Sequence, residues 1–279
     1  MIIIKTVKEA QEFSRRQRRS GRKVAFVPTM GFLHEGHMSL VDRARQLADC
    51  VVVSIFVNPT QFGPNEDLSA YPRDFDRDRG LCEARGADAI FYPDTSEMYF
   101  PDASTFVVEE SLTGTLCGKS RPVHFRGVAT VVAKLFNAAQ PDFAVFGQKD
   151  AQQVLVIKKM ARDLCFPVEI VVCPIVREPD GLALSSRNKY LSPSDRRDAL
   201  AISRSLRAAA AAIEAGERDA AKVRAGIVAE LEAAGGGVDY VEAVDARDLK
   251  PLETLSRPLL VAVAAKFGPA RLIDNLLME

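Results

Sequence analysis

Residues 24–37 read Val24-Ala25-Phe26-Val27-Pro28-Thr29-Met30-Gly31-Phe32-Leu33-His34-Glu35-Gly36-His37, and they predict the architecture of this chain better than any other segment. The first four residues are an apolar run that favours a β-strand, and a turn with Pro and Gly follows them. A helical pattern begins near Gly36, with Leu40, Ala44 and Leu47 at spacings of four and three residues. The segment therefore predicts a strand, a loop and a helix in succession.

The loop between this strand and this helix is suited to bind phosphate. The first N–H groups of a helix have no partner within the helix, and together with the helix dipole they attract anions. Gly31 and Gly36 allow a ligand to approach the backbone. The imidazoles of His34 and His37 can donate hydrogen bonds to phosphate oxygens. Half of a metal site is the weaker interpretation, because no nearby Cys, Asp or Glu completes a ligand set.

Length and charge narrow the classes of function. A chain of 279 residues with 47% hydrophobic residues can bury a large core, yet it is near the size at which single cores divide. We expect two domains, residues 1–176 and 177–279. With 37 basic and 37 acidic residues, no net field favours nucleic acid or a membrane. The arginine cluster in residues 15–23 could bind RNA, but it lacks interleaved aromatic residues, which favours a solvated helix face.

Cysteine usage and the N-terminus indicate a reducing compartment. The five cysteines are odd in number and widely spaced, so we expect reduced, packed thiols. The first five residues do not resemble a signal peptide, and no apolar run approaches the length that a bilayer requires. We expect a cytoplasmic protein without a membrane or nucleic-acid partner.

Short apolar strands alternate with helical patterns up to about residue 173, which predicts a parallel sheet with helical crossovers. The predicted strands are residues 24–27, 51–57, 89–92, 143–146 and 168–172. Several of them are apolar almost throughout, as expected when helices cover both faces of the sheet. We therefore predict an α/β fold with a doubly wound parallel sheet.

The residue composition and the predicted secondary structure change after Val176. Residues 177–181 are turn-rich and suggest a hinge between the domains. Ser192-Pro193-Ser194-Asp195 has the capping pattern of a helix start, and a second helix is predicted near residues 221–233. Apolar strands follow at residues 240–244 and 259–265. The C-terminal part is therefore predicted to be a smaller α+β domain.

Polar residues follow three of the predicted strands. They are residues 29–37, Asn58-Pro59-Thr60-Gln61 and Gly147-Gln148-Lys149-Asp150. Ligands of such sheets bind outside the carboxyl ends of the strands. We expect these groups to converge on one edge of the sheet.

Several separate segments resemble the pantothenate synthetase family, of the HIGH-motif nucleotidyl-transferring superfamily. They are residues 28–37, 54–67, 124–128, 146–150 with Gln152 and Gln153, and 181–188. Val123 departs from the family, which usually has glycine before His124-Phe125-Arg126. The resemblance implies a Rossmann-like ATP- and pantoate-binding domain and a C-terminal domain that closes over the site.

The resemblance also implies the reaction. Such an enzyme condenses pantoate with β-alanine at the expense of ATP, through pantoyl adenylate, and releases pantothenate, AMP and pyrophosphate. Mg²⁺ would accompany ATP, and the enzyme would be a homodimer. The catalytic residues would be His37, His34 and Lys149. Asp150 would contact Mg²⁺ held by the phosphates, and helix capping is the alternative role for this carboxylate.

The remaining site residues follow from the same resemblance. The ATP-binding residues would be Met30, Gly31, Phe32, Leu33, His34, Glu35, Gly36, His37, Gly147, Gln148, Lys149, Asp150, Val176, Leu184, Ser185, Ser186 and Arg187. The residues that bind pantoate or β-alanine would be Gln61, Gln153, Asn58, Met30 and Arg121. Neutral glutamines suit the hydroxyl and carboxylate groups of pantoate, because they bind without suppressing attack.

Three other functions compete with this interpretation. A nucleotidylyltransferase that keeps the nucleotide on its product could use the same two-histidine loop. An RNA-charging synthetase is disfavoured by the balanced charge and by the lack of an appended recognition domain. A pure binding module is disfavoured because it would not use the many groups that are suited to phosphate.

Overall fold

A six-stranded parallel sheet forms the larger part of the computed structural model, which describes residues 1–64 and 66–279. Its strands are β1 (Ile2–Ile4), β2 (Val24–Thr29), β3 (Cys50–Ile55), β4 (Ala89–Phe91), β5 (Phe143–Gly147) and β6 (Glu169–Cys173). They lie in the order β1-β4-β3-β2-β5-β6. Asn65, in one of the segments that resemble the family, lies outside the described residues.

Helices connect these strands and continue into the C-terminal part. They are α1 (Val7–Arg19), α2 (Glu35–Leu47), α3 (Phe75–Ala84), α4 (Thr95–Met98), α5 (Leu116–Ser120), α6 (His124–Ala139), α7 (Ala151–Asp163), α8 (Pro193–Glu214) and α9 (Ala220–Ala233). Short 3-10 turns are formed by Pro59–Gln61, Gln148–Asp150 and Ser186–Tyr190. Local capping sets several helix starts. The predicted start of α8 is confirmed, since Ser192 and Asp195 form a reciprocal capping box with Pro193 in the first turn.

The order of the strands indicates where a ligand would bind. β2 pairs with β3 on one side and with β5 on the other. The chain first adds β3 and β4 on one side of β2, and it later adds β5 and β6 on the other side. In open α/β sheets, ligands bind at such a switch point, outside the carboxyl ends of the strands. The polar segments that follow β2, β3 and β5 begin at this edge.

Apolar residues on both faces explain why these segments form a sheet. All six residues of β3 are buried. On one face Ala25, Val27 and Val53 pack with Val41 and Ala44 of α2. The alternate residues of the same strands point to the other face, and they are buried as well. A strand of this kind is stable only when both faces are covered.

The C-terminal part contains a three-stranded antiparallel sheet. Its strands are β7 (Gly237–Asp245), β8 (Leu259–Phe267) and β9 (Ala270–Met278), in that order. Leu206 and Ile213 of α8 and Ile227 and Leu231 of α9 share one core with this sheet. The predicted fold class, a parallel α/β sheet with a smaller α+β part, is confirmed. β1 and β9 are strands that the sequence analysis did not predict.

Contacts divide the chain into two compact units. Unit 1 is Met1–Ser111, Arg121–Gln148 and Val156–Pro174, and unit 2 is Leu112–Ser120, Lys149–Leu155 and Ile175–Glu279. The second unit thus includes two short segments that lie earlier in the chain. The predicted division at residue 176, and the closing of the C-terminal domain, stay predictions.

Three further expectations can be compared with the structure. The cysteines are free, and all except Cys165 are buried. Val123 has a φ of −90° and is 45% exposed, so its backbone does not need the glycine that the family usually has. Within the described part of the chain, no helix is both long and apolar enough to cross a membrane.

Candidate active site

The loop after β2 has a backbone that is fixed by neighbouring groups. The hydroxyl of Thr29 donates to the carbonyl of Ser54 at 2.6 Å and accepts from the N–H of Gly31 at 3.2 Å. Gly31 has a φ of +84°, and a Cβ there would lie 3.0 Å from Ile55 Cγ2 and 3.1 Å from Asp78 Oδ2. Only glycine fits this position without strain. The loop therefore depends on contacts with β3 and α3.

The two histidines lie together at the start of α2. His34 is the N-cap residue, and the ring centroids of His34 and His37 are 4.1 Å apart. The backbone N–H of His34 donates to Nδ1 of His37 at 3.3 Å. A ring nitrogen that accepts a hydrogen bond has no proton, so the proton of neutral His37 is on Nε2. In the neutral ring, Nε2 is therefore the nitrogen that can donate a hydrogen bond.

Amide side chains form a second group beside this loop. Gln61 is 8% exposed, and its Nε2 lies 3.2 Å from the sulfur of Met30. Its Oε1 accepts from Nδ2 of Asn58 at 3.0 Å. Asn58 also accepts from the hydroxyls of Thr60 at 2.9 Å and Tyr99 at 2.8 Å. Three predicted pantoate-binding residues, Met30, Asn58 and Gln61, are therefore brought together.

A charged group adjoins Gln61. Arg121 pairs with both carboxylate oxygens of Glu66, at 2.7 and 2.5 Å, and also donates to the carbonyl of Gln61 at 3.4 Å. His124 Nδ1 lies 3.1 Å from the same carbonyl. Partial burial alone would raise the pKa of Glu66, but the hydrogen bonds and charge of Arg121 outweigh it and lower the pKa below its usual value. Arg121 is thus placed beside Gln61 as an ion pair.

Helix α6 approaches this group closely at Gly127. A Cβ at Gly127 would lie 2.4 Å from the carbonyl oxygen of Thr60 and 2.6 Å from backbone atoms of Gln61. The carbonyl of Gly127 also accepts from Nδ2 of Asn58 at 3.1 Å. A glycine is therefore needed for the 3-10 turn and the helix to pack.

Unit 2 contains Lys149, one of the three predicted catalytic residues. Lys149 Nζ lies 3.2 Å from the carboxylate of Asp150, and the carbonyl of Lys149 accepts from the amide of Asn275 at 3.0 Å. Gln152 is buried, and its side-chain amide donates to the carbonyls of Leu112 and Thr115, each at 2.8 Å. Its side-chain oxygen accepts from the N–H of Cys117 at 3.0 Å. The neighbouring predicted ligand Gln153 is half-buried.

The segment 175–190 lies in unit 2 and has defined hydrogen bonds. The N–H of Leu184 donates to the carbonyl of Val176 at 3.0 Å, so these two predicted ATP-binding residues are paired. Ser185 caps the next 3-10 turn, and its hydroxyl accepts from the N–H of Arg187 at 3.2 Å. Ser186 and Arg187, half-buried, belong to that turn.

Three predicted site residues, Glu35, Gly147 and Gln148, lie on elements other than the 3-10 turn that contains Gln61. The carboxylate of Glu35 is exposed and pairs with Arg85 at 2.7 Å on the surface. Gly147 and Gln148 lie where β5 ends and the next 3-10 turn begins. In residues 1–64 and 66–279, no group of three or more His, Cys, Asp or Glu side chains could hold a metal ion.

Comparison with known proteins identifies the family. The sequence model of the pantoate–β-alanine ligase family matches residues 2–277. The chain belongs to this family. A pantothenate synthetase from Thermotoga neapolitana is 56% identical over 279 residues, covering 100% of both chains. Another, from Thermotoga petrophila, is also 56% identical over the same coverage.

Solved structures of pantoate–β-alanine ligases have the same fold. The pantothenate synthetase of Thermus thermophilus is 47% identical and superposes with a TM-score of 0.94, covering 99% of both chains. The pantoate–β-alanine ligase of Francisella tularensis, complexed with β,γ ATP and β-alanine, is 35% identical with a TM-score of 0.84. That match covers 99% of this chain and 97% of the other.

Several residues that shape this candidate site were not predicted from the sequence. Tyr99 and His124 hydrogen-bond residues of the Gln61 group, and Glu66 pairs with Arg121. Asp78 contacts the loop after β2. His124 and Glu66 lie within segments that resemble the family, which was an available signal. Nothing local distinguishes Tyr99 or Asp78 from ordinary surface residues.

Proposed function

We propose that this chain condenses pantoate with β-alanine at the expense of ATP, through a pantoyl adenylate. The observation that supports this most directly is the contact between Met30 and Gln61. It places an amide suited to a hydroxy acid beside the loop that contains His34 and His37. A carboxylate bound there would adjoin the phosphates that it must attack. The family membership supports the same reaction.

The first step requires charge stabilisation rather than covalent chemistry from the protein. A carboxylate oxygen of pantoate attacks the α-phosphorus of ATP, the bond to the bridging oxygen breaks, and pyrophosphate leaves. The barrier is mostly the charge on the phosphate oxygens. His34, His37 and Lys149 would stabilise that charge. Because Nδ1 of His37 accepts a hydrogen bond, His37 would act as a neutral donor through Nε2.

Further residues would support binding of the nucleotide. The backbone of Gly31, Phe32, Leu33 and Gly36 would line the ATP site at the start of α2, with the N–H groups of Phe32 and Leu33 directed to Asp78 rather than to phosphate. In unit 2, the hydroxyls of Ser185 and Ser186 and the guanidinium of Arg187 are suited to phosphate oxygens. Gly147, Gln148, Val176 and Leu184 complete the proposed ATP set.

Pantoate and β-alanine would be bound mainly by neutral groups. Gln61, Asn58 and Gln153 would hydrogen-bond pantoate, and Met30 would pack against its dimethyl group. Arg121 is the proposed cation for a substrate carboxylate. In the second step, the amine of β-alanine attacks the acyl carbon, AMP leaves, and the amine loses a proton. Residues 177–279 would exclude water from the adenylate.

Mg²⁺ fits this proposal as a companion of ATP. Mg²⁺ prefers oxygen ligands and is often bound by phosphates, water and one or two carboxylates. Asp150 would supply one carboxylate oxygen, and the phosphates of ATP would supply the others. Mg²⁺ bound there would neutralise polyphosphate charge. A homodimer in the cytoplasm completes the proposal.

The nucleotidylyltransferase alternative is less well supported. It would retain the nucleotide on its product, whereas family relatives are named for the ligation and one was solved with β-alanine. The fate of AMP separates the two reactions.

The test is a two-stage assay. Pyrophosphate release from Mg·ATP is measured with pantoate alone, and β-alanine is then added while AMP and pantothenate are quantified. We expect a pantoate-dependent burst of pyrophosphate, followed by steady AMP release after addition of the amine. Pyrophosphate release that does not depend on pantoate would refute the substrate assignment.

A further inference from the structure

We infer that Asp78 is a positioning residue for adenylate formation, because it fixes the backbone of the loop immediately before His34. The inference rests on the proposed function. One carboxylate oxygen accepts from the N–H of Phe32 at 2.7 Å, and the other accepts from the N–H of Leu33 at 2.7 Å. Asp78 lies on α3 and is 1% exposed. It is therefore a buried group that contacts the loop across 45 and 46 residues of sequence.

The geometry requires two acceptors. Phe32 has a φ of +50°, a left-handed conformation that a bulky residue rarely adopts without support. Its N–H and that of Leu33 point to separate oxygens of one side chain. A carboxylate accepts at both oxygens, whereas the amide of asparagine would place a donor against one N–H. Asp78 is thus matched to this backbone shape.

Arg77 fixes the same two loop residues from the adjacent position. Its guanidinium donates to the carbonyl of Leu33 at 2.8 Å and lies 5.2 Å from the ring centroid of Phe32. Arg77 also lies 3.6 Å from the carboxylate of Asp78. Consecutive residues of α3 therefore bind both a carbonyl and two N–H groups of the loop.

The position of the loop determines the position of the histidines. Leu33 is followed directly by His34, the N-cap residue of α2, and His37 lies in the first turn. A change of the Phe32 and Leu33 backbone would shift both rings relative to the phosphates. Misplacement of catalytic groups by about 1 Å can cost on the order of 10²-fold in rate.

Burial of Asp78 opposes its ionisation. Burial raises the pKa of Asp78, although hydrogen bonds from Leu33 and Phe32 and the charge of Arg77 oppose that rise, and Asp74 adds to it. A raised pKa means that the folded state binds the proton more tightly than the unfolded state, so ionisation weakens the fold as pH rises. A neutral replacement removes this penalty but also removes one acceptor.

The experiment compares Asp78→Asn with Asp76→Asn in the full chain. Asp76 is exposed on the same helix, so its substitution is a matched charge control. ATP affinity is measured by calorimetry with ATP alone, and kcat/KM for ATP, KM for pantoate and Tm are measured alongside it. For Asp78→Asn we expect kcat/KM for ATP to fall between about 10- and 100-fold, with weaker ATP binding and a lower Tm because one buried loop N–H would face a donor, while KM for pantoate stays near the control value.

Two results would overturn the inference. One is a kcat/KM for ATP within about twofold of that of Asp76→Asn. The other is a rise of KM for pantoate as large as the loss of kcat/KM for ATP, which a purely structural role would produce. If wild-type enzyme shows no pantoate-dependent ATP turnover, the proposed function fails, yet the calorimetric comparison still tests Asp78.

A second variant covers the case in which Asp78→Asn does not fold. Arg77→Gln removes the guanidinium that donates to Leu33 and lies beside the ring of Phe32, and Arg79→Gln on the exposed side of α3 is its control. We expect kcat/KM for ATP to fall about three- to tenfold in Arg77→Gln. Equal activity of the two variants would contradict the inference.

Discussion

The loop before α2 and the amide group around Gln61 are stabilised in different ways. The loop is fixed by charged side chains of α3, since Asp78 accepts from two of its N–H groups and Arg77 donates to a carbonyl. The amide group is fixed by neutral hydrogen bonds from Asn58 and by close packing of α6 at Gly127. The loop should therefore be sensitive to loss of donors and charge, and the amide group to changes of shape.

The difference follows from what each region would bind. A phosphate loop needs its N–H groups and imidazoles preorganised toward developing charge. A pocket for a hydroxy acid needs correctly oriented neutral donors and acceptors, which packing can fix. Separate effects on ATP and on pantoate are thus the expected signature of the two regions.

The largest effect is expected at His37. We predict that His37→Ala lowers the single-turnover rate of adenylate formation by about 10²- to 10³-fold and leaves the fold intact, because a donor to the transition-state charge is lost. Quenched-flow measurement of pyrophosphate release tests the rate, and Tm tests the fold. Near-normal release would refute the role of His37.

His37→Gln distinguishes two forms of that role. Glutamine can donate a hydrogen bond but cannot act as a proton donor. If His37 acts as a neutral donor through Nε2, His37→Gln should be clearly faster than His37→Ala in the same assay. Equal rates of the two variants would favour proton transfer and contradict the neutral role.

The next effect is steric and belongs to the amide group. In Gly127→Ala, the new methyl group would meet the backbone of Thr60 and Gln61 at distances no side chain tolerates. We expect a loss of about 1–3 kcal/mol in the free energy of unfolding, together with a rise of KM for pantoate that exceeds the change of KM for ATP. Chemical denaturation and steady-state kinetics measure the two quantities.

Gly80→Ala is the matched control for that substitution. Gly80 lies in α3, and a Cβ there would have no atom within 4 Å. Alanine in a helix interior is favoured over glycine by about 0.5–1 kcal/mol, so this variant should be neutral or slightly more stable. If both variants had the same KM for pantoate, the packing argument for Gly127 would be wrong.

The sequence predicted the groups whose signals are local. The apolar run before Pro28, the cap at Ser192 and the strands around residues 51 and 259 are encoded by neighbouring residues, and they appear in the structure. β1 was missed although Ile2, Ile3 and Ile4 are all β-branched, since its length of three residues gives no periodic pattern.

Contacts between elements that are distant in the sequence could not be predicted in the same way. Asp78 lies among several acidic residues of one helix, and only the packing of α3 against the loop distinguishes it from Asp76. The need for glycine at Gly127 likewise depends on the turn that contains Gln61, more than 60 residues earlier. Single sequences encode local capping and periodicity, but such pairings depend on the tertiary fold.

The smallest effect is expected at Glu66, which pairs with Arg121 beside the amide group. We predict that Glu66→Gln raises KM for pantoate about three- to tenfold, because Arg121 loses its bidentate partner.

The same ion pair predicts a pH dependence of stability. Arg121 lowers the pKa of Glu66 against the effect of burial. The pair therefore stabilises the fold above the usual Glu pKa, and this stabilisation is lost as pH falls through the lowered value. Wild-type Tm should therefore decrease more than that of Glu66→Gln on acidification. Glu83→Gln, an exposed control on α3, should follow the wild type. If Glu66→Gln keeps the acid response and the pantoate KM of the wild type, shape alone supports the amide group, and the contrast with the loop becomes sharper.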